Sequence, residues 1–373
     1  MVRVIEDTFG TAINPLTKQM EEIKRFTITN GMQMKVQVIT LGATIASIEV
    51  PDANGHVEDV VLGYDDVAGY QTSTNPYFGA TIGRVCNRVG HGRFPLNGQE
   101  IQVSRNMNNK HQLHGGFIGF DKVHWQVVAQ HQDGVTLQHC SPDGHEGYPG
   151  EVTATVKISL TEDNCLHLLM RAKTTKTTAV NMTNHCYFNL AGHAAGKQAI
   201  YGHEVMINAD KITETDGDSI PTGNFTPVEG TVYDLRKMKN MGEGIKSLLP
   251  SPISGYDDNY CADGNYDGNR INVIAKALYP PNGRWLEIAS NQPGVQFYTS
   301  NGMPDTEKGE TPIYGKNGAQ YTKHAAFCLE TQKYPDAVNH PNFPSIILNP
   351  DEEYNHEVIY KFGICRNSGC GKH

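Results

Sequence analysis

Hydrophobic and polar residues alternate with a period of two along much of the chain, and Asn-Gly or Asp-Gly pairs interrupt the alternation. Over residues 32–39, Met32, Met34, Val36 and Val38 alternate with Gln33, Lys35 and Gln37. That spacing predicts a strand with one face inward and one outward. Asn30-Gly31 precedes it and tolerates the positive backbone dihedrals of a tight hairpin turn, which joins the strand to residues 26–29. The device recurs at Asn97-Gly98, between residues 93–96 and 99–103, and at Asp133-Gly134, between residues 125–129 and 135–139. Asn282-Gly283 precedes another run, over residues 284–289. Residues 151–160 place Val152, Ala154, Val156, Ile158 and Leu160 on one face.

Helical spacing is scarce. Residues 241–249 predict one short helix before Pro250, and no segment carries a long apolar helical face. Many short strands separated by turn signals predict an all-β sandwich or barrel with large sheets. With 373 residues the chain can bury a substantial core. Neither an internal repeat nor a Gly/Ser-rich linker divides it, so one domain over residues 1–373 is expected. Residues 251–269 and 302–318 are rich in Gly, Asn, Asp and Pro and read as long surface loops, suited to walling a site.

Composition narrows the function classes. Hydrophobic residues make up 38% and charged residues 19%, as in a soluble globular protein. A net charge of −9 argues against a nucleic-acid surface. No apolar run is long enough to cross a bilayer, and the N-terminus, with Glu6 and Asp7, lacks a signal-peptide stretch. A cytoplasmic protein is expected. Its eight cysteines form no CxxC pair, so they read as mostly buried thiols rather than a zinc or redox site, with Cys365 and Cys370 in a Gly-rich tail. No assembly motif is evident, which favours a monomer and leaves the oligomeric state open.

Six polar clusters stand out. Arg84, Asn87 and Arg88 sit within residues 83–88, where paired guanidinium forks suit hydroxyls or a carboxylate, although the segment alone favours a surface ion-pair network. His114 precedes Gly115-Gly116, a turn or a close backbone approach. Asn181, Thr183, Asn184, His185 and Asn189 crowd a strand-like run, as either a buried polar cluster or a site. Asp257-Asp258 lies between tyrosines, and an Asx-rich turn explains it better than calcium ligation. Gln292-Pro293-Gly294 reads as a turn entering a strand. Glu330 follows Phe327, Cys328 and Leu329; a carboxylate there is a solvated strand end, an ion pair or a site.

In this order the segments resemble the aldose 1-epimerase (galactose mutarotase) family. The matching text is GRVCNRV (83–89), LHGG (113–116), GFDKVHW (119–125), SPDGHEGYPG (141–150), TNHCYFNLAG (183–192), YDDN (256–259), QPGVQFYT (292–299), LETQKYP (329–335) and NHPNFP (339–344). The resemblance runs from about Leu41 to Phe362. It implies a large antiparallel β-supersandwich and assigns Glu330 as general base and His185 as general acid. It makes His114 the second site histidine and places Arg88, Asp257 and Gln292 on the sugar hydroxyls, with Asn87 beside them. Cys186 stands where Ser is common and Asp258 where His is common.

The reaction so implied interconverts the α and β anomers of a hexose such as galactose or glucose. A base takes the C1 hydroxyl proton, an acid protonates the ring oxygen, the C1–O5 bond breaks, and the open chain rotates and recloses. No cofactor or metal is implied. Glu330 at its reference pKa is ionised near neutrality, and a neighbouring carboxylate keeps part of His185 protonated. The expected pH profile is a bell with its lower limb from the Glu and its upper limb from the His. Gripping residues hold hydroxyls away from C1, and aromatic side chains pack on the sugar's apolar face. Rival readings are glycoside hydrolysis by Glu330 with Asp257, epimerisation of a hexose 6-phosphate, and a sugar-binding protein without catalysis.

Overall fold

The computed structural model describes residues 1–262 and 266–365; Cys370 and the end of the tail lie outside them. Three antiparallel sheets carry the architecture. The largest has nine strands in the order Gln126–Gln130, Gly134–Ser141, Val152–Leu160, Cys165–Thr174, Tyr354–Ile364, Arg284–Ser290, Asn272–Tyr279, Glu204–Ile207 and Lys239–Asn240. The first four are hairpin neighbours in sequence. Strand Tyr354–Ile364 then inserts from the far end of the chain, pairing Leu168 with Val358 on one side and Ile288 with Tyr360 on the other. Alternation aims one row of each strand inward. Val152, Ala154, Val156, Ile158 and Leu160 are buried and pack with Leu166, Leu168, Met170, Leu286, Ile288, Val358 and Tyr360 in one core.

An N-terminal sheet runs in chain order through Arg3–Ile13, Met20–Thr29, Lys35–Ile39, Thr44–Pro51 and Val57–Asp59. Met34, Val36 and Val38 join the core as the alternation predicts. Met32 instead lies in the turn and is exposed, because the strand begins only at Lys35. The Asn97-Gly98 hairpin joins Arg93–Leu96 to Gln99–Gln102, and residues 241–249 supply the helix Met241–Leu248, capped by the Asn240 side chain.

The third sheet has the order Pro221–Pro227, Lys211–Thr215, Asp257–Cys261, Gly294–Tyr298 and Cys328–Gln332. Its middle strand corrects the expectation of a continuous loop over residues 251–269. Tyr260 from that strand, with Val295, Phe297 and Leu329 from its neighbours, faces the same core as the nine-stranded sheet. The other face carries polar residues, so the segment shows no solvent-and-core alternation of the usual kind. No helix among the described residues is long and apolar enough to cross a membrane. Cys86, Cys165, Cys186, Cys261 and Cys328 are buried free thiols, and Cys140 is an exposed one.

Candidate active site

The polar face of the third sheet is the site floor. Strand register sets Gln296 opposite Asn259 on one side and opposite Glu330 on the other. The period of two then aligns Asp257 with Asn259, Gln296 with Tyr298, and Glu330 with Gln332. Glu330 sits mid-strand rather than at a solvated end, and is 2% exposed. Gln332 anchors the row, donating to Asn259 Oδ1 at 3.1 Å.

His185 enters from another part of the chain. Its segment pairs Thr183 with Ile82 and Asn184 with Thr81, and the His185 N–H donates to Ala80 O. The Thr183 hydroxyl donates to Thr331 O at 2.8 Å, and Asn181 exchanges hydrogen bonds with the Lys333 main chain at 3.0 and 3.1 Å. Those bonds hold the strand on the C-terminal side of Glu330, at Thr331 and Lys333. The crowded polar run is therefore both a buried network and part of the site. It brings His185 Nε2 to 3.6 Å from Glu330 Oε2. The imidazole lies between the rings of Tyr77 and Tyr187, nearly parallel to both.

His114 reaches the same point from a glycine turn. A Cβ on Gly115 would stand 2.0 Å from Gly83 O, so only glycine permits this approach. The Asn87 N–H donates to His114 Nδ1 at 3.2 Å. That bond leaves Nδ1 unprotonated and puts the ring proton on Nε2. Burial, with His185 and Arg88 nearby, holds the His114 pKa well below the ordinary value, so it is a neutral donor.

Arg88, Asp257, Gln296 and Asn87 close a ring of hydrogen bonds beside the Glu330–His185 pair. Arg88 donates to Asp257 Oδ2 at 3.1 Å, Gln296 to Asp257 Oδ1 at 2.7 Å, and Asn87 to Gln296 Oε1 at 3.1 Å. Arg88 completes it on Asn87 Oδ1. Each polar group holds the next, so the ring is fixed in place at the cavity wall. The second arginine of that motif has a different task. Arg84 is buried and binds the carbonyls of Ser141, Pro142, Pro149 and Gly150, which accounts for the SPDGHEGYPG segment and replaces the expected surface ion pair.

The structure thus brings together Glu330, His185, His114, Asn87, Arg88 and Asp257 around a cavity of ≈ 420 Å³. Gln292 is the exception. It is 1% exposed, turned away from the cavity, and donates to Asn291 Oδ1 and Asn355 O. Gln296, four residues on, lines the cavity in its place. The alternation through residues 294–298 was the signal that could have found it: Val295 and Phe297 point to the core, so Gln296 cannot. Tyr77, Tyr187 and Tyr298 also line the cavity. Asp258 faces away from it; burial, then the Asp257 charge, pushes its pKa up to about 7.

Burial changes the expected electrostatics of the pair. It pushes Glu330 well above the ordinary carboxylate range, the Asp257 charge adding to the effect and Arg88 opposing it. It pushes His185 down to about 4. Glu330 Oε2 and His185 Nδ1 are buried without a hydrogen-bond partner. Such atoms cost free energy unless a ligand satisfies them. His114, His185 and Glu330 also offer ligand atoms within 4.8 Å of one another, a geometry that a metal ion could occupy.

An antiparallel β fold with a buried carboxylate–imidazole pair beside a ring of hydrogen-bonded polar side chains at one cavity has the architecture of an enzyme active site. Comparison with known proteins makes the class specific. The aldose 1-epimerase family profile matches residues 24–361. The chain is 45% identical to galactose mutarotase of Bos taurus over 366 residues, covering 98% of this chain and 100% of the bovine one. It is 33% identical to aldose 1-epimerase of Escherichia coli K12, covering 90% and 94% of the two chains. Among solved structures, an aldose epimerase homologue from C. elegans matches with a TM-score of 0.81 at 26% identity, covering 90% and 97%. Galactose 1-epimerase from Lactobacillus acidophilus shares the fold, with a TM-score of 0.80 at 24% identity and coverage of 98% and 99%. The chain belongs to the aldose 1-epimerase family, isomerases that interconvert the anomers of sugars.

Proposed function

We propose that the substrates are hexoses such as galactose and glucose, with Glu330 as general base and His185 as general acid. The observation that carries this reading is the 3.6 Å approach of His185 Nε2 to Glu330 Oε2 on the cavity floor. Glu330 removes the proton from O1 as His185 delivers one to O5. The electron pair of the O1–H bond forms the C1 carbonyl, and that of the C1–O5 bond goes to O5. Rotation about C1–C2 presents the other carbonyl face, and closure returns both protons. Arg88, Asp257 and Gln296 hold remote hydroxyls during rotation, Asn87 orients them, and His114 Nε2–H donates to a ring substituent.

The pair needs one proton between its two members. In the empty pocket burial favours that proton on Glu330. Sugar hydroxyls donating to the carboxylate stabilise its ionised form and shift the proton to His185. The order of the pH limbs is then the reverse of the order expected from reference pKa values. In kcat/KM the acid limb reports the second proton taken up by His185 at about pH 4. The alkaline limb reports loss of the proton from Glu330.

Rival chemistries fit less well. Asp257 is committed to Arg88 and Gln296, so it is poorly placed as the second carboxylate of a glycosidase. Among the described residues Arg88 is the sole cationic side chain lining the cavity and is already paired, which disfavours a sugar phosphate. The presence of both acid and base favours catalysis over binding alone. Polarimetry of fresh α-D-galactose and α-D-glucose tests the reading. Wild type should reach equilibrium rotation faster than buffer, and Glu330→Gln should not; equal acceleration by both would remove Glu330 from the base role.

The reading takes the chain as a single domain, supported by a site drawn from segments as distant as Asn87 and Glu330. It also takes a monomer in the cytoplasm, the location supported by the six free thiols among the described residues. Light scattering at the 41.1 kDa chain mass and cell fractionation test those two points.

A further inference from the structure

The paired glycines after His114 have a partner outside the cavity. A Cβ on Gly116 would stand 2.2 Å from Glu146 Oε2, so the second glycine admits a side chain, as the first admits the Gly83 carbonyl. Glu146 Oε2 accepts the Phe117 N–H at 3.1 Å, and Oε1 accepts the Ile118 N–H at 2.8 Å. The Ser104 hydroxyl also donates to Oε2. Three donors converge on one side chain, and a carboxylate suits them because both of its oxygens accept. Glu146 stands behind the turn and does not line the cavity.

Glu146 is itself fixed. Its main-chain carbonyl accepts the Ser104 N–H at 2.9 Å. Arg84 grips the Ser141 and Pro142 carbonyls before it and the Pro149 and Gly150 carbonyls after it. Residues 141–150 thus form a loop clamped at both ends, whose tip presents Glu146 to the His114 turn. Glu146 and His114 both adopt left-handed backbone, with φ of 53° and 51°. Such conformations are unfavourable for residues with a Cβ and persist only where neighbours enforce them. The enforcing contacts at His114 are the N–H bonds to Glu146 and, on the other side of the turn, the Asn106 amide bonded to Leu113 and Gly116.

The turn in its place aims the His114 ring. The tautomer of that ring follows from the 3.2 Å bond between the Asn87 N–H and Nδ1. A shift of the turn lengthens this bond, lets the ring proton move to Nδ1 and takes the Nε2–H donor away from the cavity. We propose that Glu146 is a positioning residue for the reaction: by holding the Phe117 and Ile118 N–H groups it fixes the aim and the tautomer of His114, and so acts on turnover without touching the sugar. This rests on the donor role given to His114 above.

A double-mutant cycle on the full chain tests this, with polarimetry of fresh α-D-galactose. Glu146→Gln keeps the size of the side chain but turns one acceptor oxygen into an amide NH₂ that opposes an N–H. It should lower kcat about tenfold, the scale of a catalytic group displaced by less than 1 Å. Glu146→Asp, which keeps the charge but retracts it, should lie between Gln and wild type. In a His114→Ala background Glu146→Gln should change kcat by less than about twofold, because the group it acts through is gone. In ¹⁵N spectra of the ring nitrogens, Glu146→Gln should move the His114 Nδ1 resonance from its unprotonated toward its protonated position and leave His185 in place. An equal loss of kcat in both backgrounds would overturn the positioning role. So would an unchanged kcat in Glu146→Gln, or a lowered thermal midpoint with the His114 resonances unmoved. If Glu146→Gln does not fold, Glu146→Asp carries the same cycle and the same spectra. An unchanged kcat in His114→Ala alone would instead overturn the donor role of His114, and the positioning role with it.

Discussion

The nine-stranded sheet and the five-stranded sheet that carries Glu330 share one core but divide their residues differently. In the larger sheet each strand spends its inward face on aliphatic packing and leaves the outward face to solvent, as in Val152–Leu160. In the smaller sheet Tyr260, Val295, Phe297 and Leu329 do the packing, while the opposite face buries Gln296, Glu330 and Gln332 as well. One sheet uses burial to stabilise the fold. The other uses the stability so obtained to hold polar groups where isolated they would be unfavourable. Function here depends on a sheet with two buried faces, one of them polar.

Substitutions on the two faces should separate these roles, and the largest effect belongs to the acid–base pair. Glu330→Gln should lower kcat by about 10² to 10⁴-fold in polarimetry, the usual range for lost acid–base assistance. It should not destabilise the fold. Because burial raises the Glu330 pKa, its folded-state penalty appears as pH rises through that raised value and is absent below the unfolded value. The thermal midpoint of Glu330→Gln relative to wild type should therefore increase between pH 5 and pH 9. A midpoint difference that shrinks over that range would contradict the raised pKa.

Neighbouring residues in strand Gly294–Tyr298 should then behave oppositely. Phe297→Ala, on the core face, should cost about 3–5 kcal/mol in urea unfolding and leave kcat of the remaining folded enzyme near wild type. Gln296→Ala, on the site face, should raise KM by about tenfold, equivalent to roughly 1.4 kcal/mol, with a smaller loss of stability. If both acted mainly on stability, the two faces would not be functionally distinct. Gln292→Ala provides the matching control: it removes bonds to Asn291 and Asn355, so it should cost about 1 kcal/mol of stability and leave KM unchanged.

A separate effect is expected on acid stability. Burial pushes His203 and His185 down to about 4 and His139 and His356 down to about 3. Each is neutral in the folded protein and takes up a proton more readily when unfolded. Their contribution is present above the unfolded value near 6.5 and is lost progressively as pH falls toward 4 and 3. Calorimetry should show the midpoint falling over that window. Histidine proton resonances at pH 5.5 should still report neutral rings for these four.

The two sheets also differed in how far they could be read from residues alone. The alternation at 152–160 and the turns at Asn97-Gly98, Asp133-Gly134 and Asn282-Gly283 predicted their strands, because a half-buried strand writes its period directly into hydrophobicity. Asp257–Cys261 has the composition of a loop, because a strand polar on its site face and carrying Asp258 on the other has no such period. The exposed edge strand Arg3–Ile13 left no pattern either, since most of its residues face solvent. Arg84 and Arg88 looked alike in sequence; one binds four carbonyls and the other faces the cavity, a distinction made by the approach of residues 141–150.

Local residue order by itself determined the hairpins, the short helix before Pro250, the all-β class and, through its ordered motifs, the resemblance to the aldose 1-epimerases. These are properties of nearest neighbours and of composition. Only the tertiary structure decided that Gln296 rather than Gln292 lines the cavity, that His114 is a neutral Nε2–H donor, and that burial raises Glu330 while lowering His185. Register across strands, the direction of each side chain and the loss of water around a charge arise when segments far apart in the chain come together, and no local pattern encodes them.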